Sequence, residues 1–150
     1  MIKNISNLGD AAVYCDFGKE VNKEINTNVI KYFYSIRNQK IKGINNLTPS
    51  YNKLIISFDL KLTNFNEIKK KIENLNINEV FIQNNKELKI PVCCDEIFGL
   101  DIGILEKKLS IKKDKILKNF FNKEYFCYMT GFIAGMPFLG DLNKNMHTKR

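Results

Sequence analysis

Apolar and polar residues follow one another in short segments along the first half of the chain, a pattern that favours strands separated by turns. The predicted strands cover residues 2–6, 11–17, 40–47, 52–59 and 79–83. The turn-forming residues that adjoin them are Leu8-Gly9-Asp10, Thr48-Pro49-Ser50 and Asn84-Asn85. In the second strand Val13, Cys15 and Phe17 share one face, because successive side chains of a strand point to opposite sides.

Two segments place apolar residues three or four positions apart, which predicts helices with one apolar face each. The first helix is predicted over residues 20–38, and the second from a cap at Thr63 or Asn64 to Asn74 or Leu75. The apolar positions of the first are Val21, Ile25, Val29, Tyr32 or Phe33, and Ile36. Those of the second are Phe65, Ile68, Ile72 and Leu75. The order β-β-α-β-β-α-β predicts an α+β fold, a small antiparallel sheet with two helices on one face.

The second half of the chain predicts a further strand and two further helices before a glycine-rich segment. The strand is predicted over residues 86–93. Asp101 is the expected cap of a helix that ends at Leu109, and Ser110 is the expected cap of the next helix, over residues 111–122.

Residues 125–141, YFCYMTGFIAGMPFLGD, begin as an uncharged aromatic strand over residues 125–129. Four residues with special backbone properties then follow, Gly131, Gly135, Pro137 and Gly140. One interpretation is a buried strand followed by a tight turn that covers a core, which is the commoner use of glycine clusters. The other is the wall of a pocket in which backbone N–H groups meet an anionic or carbonyl ligand.

This segment resembles a known signature. Gly131-Phe132, the run Gly135-Met136-Pro137-Phe138-Leu139-Gly140, and the later residues Leu142 and His147-Thr148-Lys149-Arg150 are similar to the Gly-Phe-x-Pro-Gly-Phe-x-Tyr-Leu-Gly region of the allophanate hydrolase subunit 1 family. That family includes the B subunit of 5-oxoprolinase and the sporulation kinase inhibitor KipI. Residues 8–12, 90–92 and 100–101 resemble its other landmarks in the same order. The departures from the signature are Ala134, Met136 and Phe138.

The resemblance covers the whole of this chain. It corresponds to only about the first two-thirds of the family pattern. It implies an N-terminal α+β domain followed by a cyclophilin-like β-barrel, which we expect to be truncated here. The domain boundary is predicted near residues 84–87, which gives domains of residues 1–85 and 86–150, the second an incomplete β domain.

The resemblance also implies an activity, the ATP-dependent opening of 5-oxoproline to L-glutamate with release of ADP and phosphate. ATP would act at the level of a complex with two partners, a second carboxyltransferase-like subunit and an amidohydrolase-like subunit, and this chain would be inactive alone. The resemblance assigns no catalytic residue. The alternatives are a KipI-like protein that binds and inhibits a sensor histidine kinase, or an inactive truncated member.

The candidate pocket-lining residues are Gly131, Phe132, Gly135, Pro137, Phe138, Gly140, His147 and Arg150. His147 is the side chain whose unperturbed pKa lies near neutrality, and with Lys149 and Arg150 it is suited to contact a carboxylate or phosphate. The alternative for this segment is a solvated C-terminus. Asp10 and Asp141 each adjoin a glycine, and they are candidates either for turn residues or for ligand contacts.

Composition narrows the functional classes. The chain carries 24 Lys and Arg against 16 Asp and Glu, a net charge of +8. The cations are scattered lysines with only two arginines, which argues against nucleic acid as a partner. The adjacent Cys93 and Cys94 point to opposite faces of a strand, and His147 is the single histidine, so no metal site is expected. No apolar run approaches the length of a bilayer span and no signal peptide is visible, so we expect a cytoplasmic protein without membrane contact.

Overall fold

The computed structural model describes residues 1–77 and 86–149, and the chain divides into two compact units. The first unit contains Met1–Asn84 together with Tyr128–Phe138. The second contains Asn85–Cys127 and Leu139–Arg150. A segment that is distant in sequence therefore belongs to the N-terminal unit.

The N-terminal unit is built on a four-stranded antiparallel sheet with strand order β1-β2-β4-β3. Its elements are β1 (Asn4–Asn7), β2 (Ala12–Asp16), α1 (Lys23–Gln39), β3 (Ile44–Pro49), β4 (Lys53–Phe58) and α2 (Phe65–Glu73). The predicted strand over residues 79–83 and the turn at Asn84-Asn85 lie outside the described residues.

One face of the sheet forms the core. The period-two prediction for β2 is confirmed, since Val13, Cys15 and Phe17 are all buried. Val13 lies opposite Ile56 and Cys15 opposite Leu54, so the central strands β2 and β4 present one continuous apolar surface. The buried helix residues that join this cluster are Val29, Tyr32, Ile36, Ile68 and Ile72. Both helices cover the same face, which confirms the predicted α+β arrangement.

The caps fix where the helices begin. The side-chain oxygen of Asn22 accepts a hydrogen bond from the Ile25 N–H at 2.9 Å, so α1 starts at Lys23. Val21 therefore precedes the helix and is 50% exposed, and its predicted place in the apolar stripe is wrong. Asn64 caps α2 through the Glu67 N–H at 3.1 Å, which decides between the two predicted caps.

Strand β3 begins and ends later than predicted. It starts at Ile44 rather than residue 40, and Thr48 and Pro49 belong to the strand instead of forming a turn with Ser50. Proline is tolerated here because β3 is an edge strand, where a missing N–H leaves no ladder partner unsatisfied.

The second unit contains α3 (Ile102–Leu109), α4 (Lys113–Phe121) and a single-turn 3₁₀ helix (Lys144–Met146). Strands β5 (Cys127–Thr130) and β6 (Pro137–Leu139) form a separate two-stranded sheet. The predicted strand over residues 86–93 is wrong, because that segment has no regular structure and exposes its apolar side chains.

The two predicted caps in this unit have different outcomes. Asp101 lies at the N-terminus of α3 as expected, although its side chain makes no capping hydrogen bond. The prediction that Ser110 caps α4 is wrong. Ser110 ends α3 in the left-handed conformation with φ 54°, and α4 begins after Lys112. The connection is so short that the residue closing one helix cannot also cap the next.

Candidate functional site

The glycine-rich segment folds as a hairpin, and we call residues Tyr128–Phe138 the glycine hairpin. Its turn is closed by backbone hydrogen bonds from Gly131 N–H to the Met136 carbonyl at 3.1 Å and from Met136 N–H to the Ile133 carbonyl at 3.0 Å. Phe132 and Gly135 both adopt positive φ, 65° and 80°. Glycine adopts such angles freely, whereas a bulky aromatic residue at positive φ is unusual.

The tip of the glycine hairpin projects into solvent. Residues 132–137 are all exposed, and Phe132 and Ile133 are exposed to 91% and 62%. Gly131 is half-buried, and an added Cβ there would lie 3.4 Å from the Met129 methyl group. The expected pocket-lining role of these residues stays a prediction, and the geometry around them is that of an exposed apolar turn.

The base of the glycine hairpin is buried against the turn between β3 and β4. Tyr128 is almost fully buried, and its ring centroid lies 5.6 Å from that of Tyr51. The half-buried Phe138 ring meets the same Tyr51 ring edge to face at 6.2 Å. The Ser50 hydroxyl donates to the Met129 sulfur at 3.3 Å. Aromatic contacts of this kind contribute about 0.5–1.5 kcal/mol each beyond the area they bury.

One buried amide, which is not among the residues predicted from the sequence, ties these segments together. Asn26 on α1 is 2% exposed, and its Nδ2 donates to the carbonyl oxygens of Ser50 at 3.1 Å, Tyr51 at 3.0 Å and Tyr128 at 3.0 Å. Asn26 comes three residues before the buried Val29, and this spacing is the sequence signal from which its burial could have been predicted. A polar residue on an apolar stripe needs a buried partner.

A second polar network lies at the same end of the sheet, next to the turn between β3 and β4. The Lys53 ammonium contacts the Asp16 carboxylate and donates to the Gly18 carbonyl at 2.6 Å, while the Gly18 N–H donates to Asp16 at 2.7 Å. The hydrogen bond from Lys53, followed by that from Gly18, holds the pKa of Asp16 below its usual value. Asn52 Nδ2 donates to the Gly18 and Glu20 carbonyls at 2.8 and 2.9 Å. This network joins β2 to β4 and has a structural role.

The remaining candidates that the structure describes, Gly140, Asp141 and His147, lie in the second unit. His147 follows the 3₁₀ helix, is exposed, and places Nε2 3.1 Å from the Leu142 carbonyl, to which an Nε2–H would donate. Gly140 donates its N–H to the Phe126 carbonyl at 3.1 Å. Asp141 has φ 66° and its carbonyl accepts from the Lys123 ammonium. Arg150 lies outside the described residues, so its predicted role with His147 stays a prediction.

Asp10 lies at the exposed tip of the hairpin formed by β1 and β2, next to Gly9 with φ 63°. The Leu8 N–H donates to the Ala12 carbonyl across this turn at 2.9 Å. The geometry accounts for both residues as turn-forming, and a ligand contact of Asp10 stays a prediction.

The cysteines offer little chemistry. Burial raises the pKa of the Cys15 thiol to about 12, so it stays protonated at neutral pH. Cys93 and Cys127 are exposed, and Cys94 is half-buried. Within residues 1–77 and 86–149, no group of three His, Cys, Asp or Glu side chains is arranged to hold a metal ion.

ATP is implied by the family resemblance at the level of a complex, and one surface depression of the N-terminal unit can be compared with it. That depression, of about 370 Å³, is bordered by Gln39, Glu67, Lys70, Lys71 and Asn74. It adjoins the C-terminal end of α2, where backbone carbonyls carry partial negative charge that the two lysines offset. Glu67 adds a carboxylate. The border thus combines two ammonium groups with one carboxylate, and the binding of ATP by the complex stays a prediction.

A model of the family described as carboxyltransferase domain, subdomain C and D, matches residues 3–150. The chain belongs to this family. This confirms the family resemblance recognised in the sequence.

Two curated relatives are similar along nearly the whole chain. The B subunit of 5-oxoprolinase from Bacillus subtilis (strain 168) is 28% identical over 158 residues, which covers 97% of this chain and 66% of the relative. The B subunit of 5-oxoprolinase from Haemophilus influenzae is 24% identical over 153 residues, with coverages of 98% and 68%. The chain thus spans about two-thirds of the length of the curated relatives it matches.

Solved structures support the fold. The crystal structure of TTHA0988 superposes with a TM-score of 0.76 at 20% identity, over 91% of this chain and 27% of that one. The urea carboxylase of Kluyveromyces lactis superposes with a TM-score of 0.62 at 13% identity, over 85% and 13% of the two chains. Within the part of the chain that the structure describes, no helix is long and apolar enough to cross a membrane.

Proposed function

We propose that this protein is a subunit of an ATP-dependent 5-oxoprolinase, which converts 5-oxoproline, ATP and water to L-glutamate, ADP and phosphate. The observation that carries the proposal is the similarity to the B subunits of two 5-oxoprolinases, which extends over 97% and 98% of the chain. A local motif shared by chance would not extend over both units.

The proposal assigns the chemistry to a complex rather than to this chain. The partners are a second carboxyltransferase-like subunit and an amidohydrolase-like subunit, and the complex acts in the cytoplasm, which supplies ATP. The geometry of the described residues supports this division. The buried Cys15 thiol is protonated, and His147 is directed at a backbone carbonyl rather than at a nucleophile.

The proposal retains the domain division at residue 85 and the pocket-lining role of the glycine hairpin. A hairpin whose tip is exposed is compatible with a site completed by a partner subunit, and it is also where the family signature lies.

Reconstitution tests this function. The purified chain is combined with the two partner subunits, and 5-oxoproline-dependent release of ADP and glutamate is measured. We expect no activity from the chain alone and measurable activity from the full set. The full-length Bacillus subtilis relative serves as the positive control. The variant Ile56→Asp, which places a charge in the centre of the core, serves as the negative control. A partner set that is equally active without this chain contradicts the proposal.

A further inference from the structure

Cys93 and Cys94 differ from the other two cysteines because they are adjacent in the sequence. Taken singly, an exposed thiol binds an ion weakly, whereas two neighbouring thiols can bind the same ion together. Cys93 is exposed and Cys94 is half-buried, so solvent reaches both residues. Consecutive Cα atoms are only about 3.8 Å apart across a trans peptide bond, and the two side chains therefore start from neighbouring points of the backbone.

The strand expected from the sequence would keep these two thiols apart. Adjacent side chains of a strand point to opposite faces, and this alternation underlies the expectation that the pair cannot share an ion. The structure removes that premise, because residues 86–95 belong to no strand or helix. Rotation about the Cα–Cβ bonds of Cys93 and Cys94 can then bring both sulfurs to one ion.

The residues that follow the pair supply local order and negative charge. The Asp95 carbonyl accepts hydrogen bonds from the Phe98 and Gly99 N–H groups, both at 2.9 Å, so a closed turn begins directly after Cys94. Asp95 and Glu96 are both exposed. Their carboxylates attract a cation to the adjoining thiols, although the chain as a whole carries a net charge of +8.

The number and softness of the ligands select the ion. Among the residues that the structure describes, no third His, Cys, Asp or Glu side chain joins the pair to form a metal-binding group. A structural Zn²⁺ site needs four ligands, so two thiols do not complete one. Thiolates are soft ligands that favour Cu(I), and this ion is satisfied by two thiolates in a nearly linear arrangement.

We propose that Cys93 and Cys94 form a dithiolate site for Cu(I). On binding, each sulfur forms one bond to the ion and the two thiol protons pass to solvent. The ion enters and stays as Cu(I), so no electron is transferred and no oxidant is needed. The inference stands independently of the proposed enzyme function.

Competition with a chromophoric Cu(I) chelator, bathocuproine disulfonate, measures the site in the full chain under oxygen-free, reducing conditions. We expect the wild type to remove one equivalent of Cu(I) from the chelator. Cys93→Ser and Cys94→Ser should each weaken binding at least about tenfold, because either change removes one of the two S–Cu bonds. Single variants that bind Cu(I) as tightly as the wild type would overturn the proposal.

Cys127→Ser is the matched control, since it makes the same change at an exposed cysteine more than thirty positions away. We expect it to bind Cu(I) with wild-type affinity. A loss equal to that of Cys93→Ser would show that the adjacent pair is not sufficient, and the assignment of the site to this pair would be rejected.

A trivalent arsenical tests independently whether both sulfurs reach one atom. Phenylarsine oxide forms two As–S bonds with a pair of thiols, and its oxygen leaves as water with both thiol protons. Tryptic cleavage after Lys89 and Lys107 gives one peptide that contains both cysteines. Mass spectrometry should find this peptide bridged by one arsenic in the wild type and in Cys127→Ser, with the bridge removed by 2,3-dimercaptopropanol. A wild-type peptide without the bridge would show that the sulfurs cannot share one atom, and the site would be rejected.

Discussion

Two adjacent isoleucines of β4 point to opposite faces of the sheet and provide a test of where the core lies. Ile56 is fully buried and lies between Val13 on β2 and Leu47 on β3. Ile55 is half-buried on the other face, between Tyr14 and Thr48. Their separation by one residue makes the pair a matched comparison, since sequence context, strand and side chain are the same.

The expected magnitudes differ because only one side chain leaves a cavity. Replacing Ile by Ala removes three carbons at about 0.8 kcal/mol each, or roughly 2.4 kcal/mol, and an unfilled cavity brings the cost of Ile56→Ala to about 3–4 kcal/mol. Ile55→Ala opens no enclosed cavity and should cost about 1 kcal/mol or less. Ile56→Val, which removes a single carbon, should cost about 1 kcal/mol and gives an intermediate point.

Urea unfolding measures the difference. With a slope of about 1.5 kcal/mol per molar, a loss of 3 kcal/mol lowers the midpoint by about 2 M. Because the chain has two units, unfolding of the N-terminal unit is followed through the exchange of β4 amides and not by a global signal alone. A cost for Ile55→Ala equal to or above that for Ile56→Ala would refute the assignment of the buried face.

Three further predictions concern single side chains. Asp16→Asn should lower stability by about 0.5–1 kcal/mol at pH 7. Since contact with Lys53 lowers the pKa of Asp16, this stability is present above the unfolded pKa and lost as pH falls through the folded value. Wild-type and variant midpoints should therefore converge as the pH falls below the lowered pKa of Asp16, and a difference that stays constant from neutral to strongly acid pH would contradict this. Lys40→Gly should stabilise by about 1 kcal/mol in thermal unfolding, because residue 40 ends α1 at φ 46°, and a destabilised variant would contradict it. Iodoacetamide should leave the Cys15 thiol, with its pKa of about 12, unmodified in the native protein while it alkylates Cys93, and equal labelling of the two would be contrary to the structure.

The faces of the N-terminal elements could be predicted because each is set by a local period. Alternation placed Val13, Cys15 and Phe17 on one face of the second strand, and a spacing of four placed Ile68 and Ile72 together on α2; the structure buries both sets. These periods follow from the geometry of strand and helix, and the buried face needs no knowledge of the rest of the fold. The start of α2 could also be predicted from a local signal. Asn64 caps this helix because its side chain accepts a hydrogen bond from the N–H three residues later.

Other predictions failed where two local preferences competed. Serine favours the N-cap of a helix, which made Ser110 the expected start of α4. The chain instead uses Ser110 to reverse direction after α3, and the left-handed φ of 54° comes from the short connection rather than from the preference of serine. The strand expected over residues 86–93 had suitable residue types, but a strand also needs a neighbour to supply its hydrogen bonds.

The attachment of the glycine hairpin could not be predicted from any local pattern, since Asn26 and Tyr128 are separated by 102 positions. An asparagine on an apolar stripe shows that a buried acceptor exists, but it does not identify that acceptor. Nor does a local preference account for Phe132, a bulky residue at φ 65° beside Gly131, which could adopt the same angle at lower cost. Phe132 follows Gly131 directly, and the Gly131 N–H donates to the Met136 carbonyl across the turn. A boundary near residue 85, drawn from the sequence, therefore divides a chain whose N-terminal unit also includes residues some forty positions later, because the contacts that join them are distant in sequence.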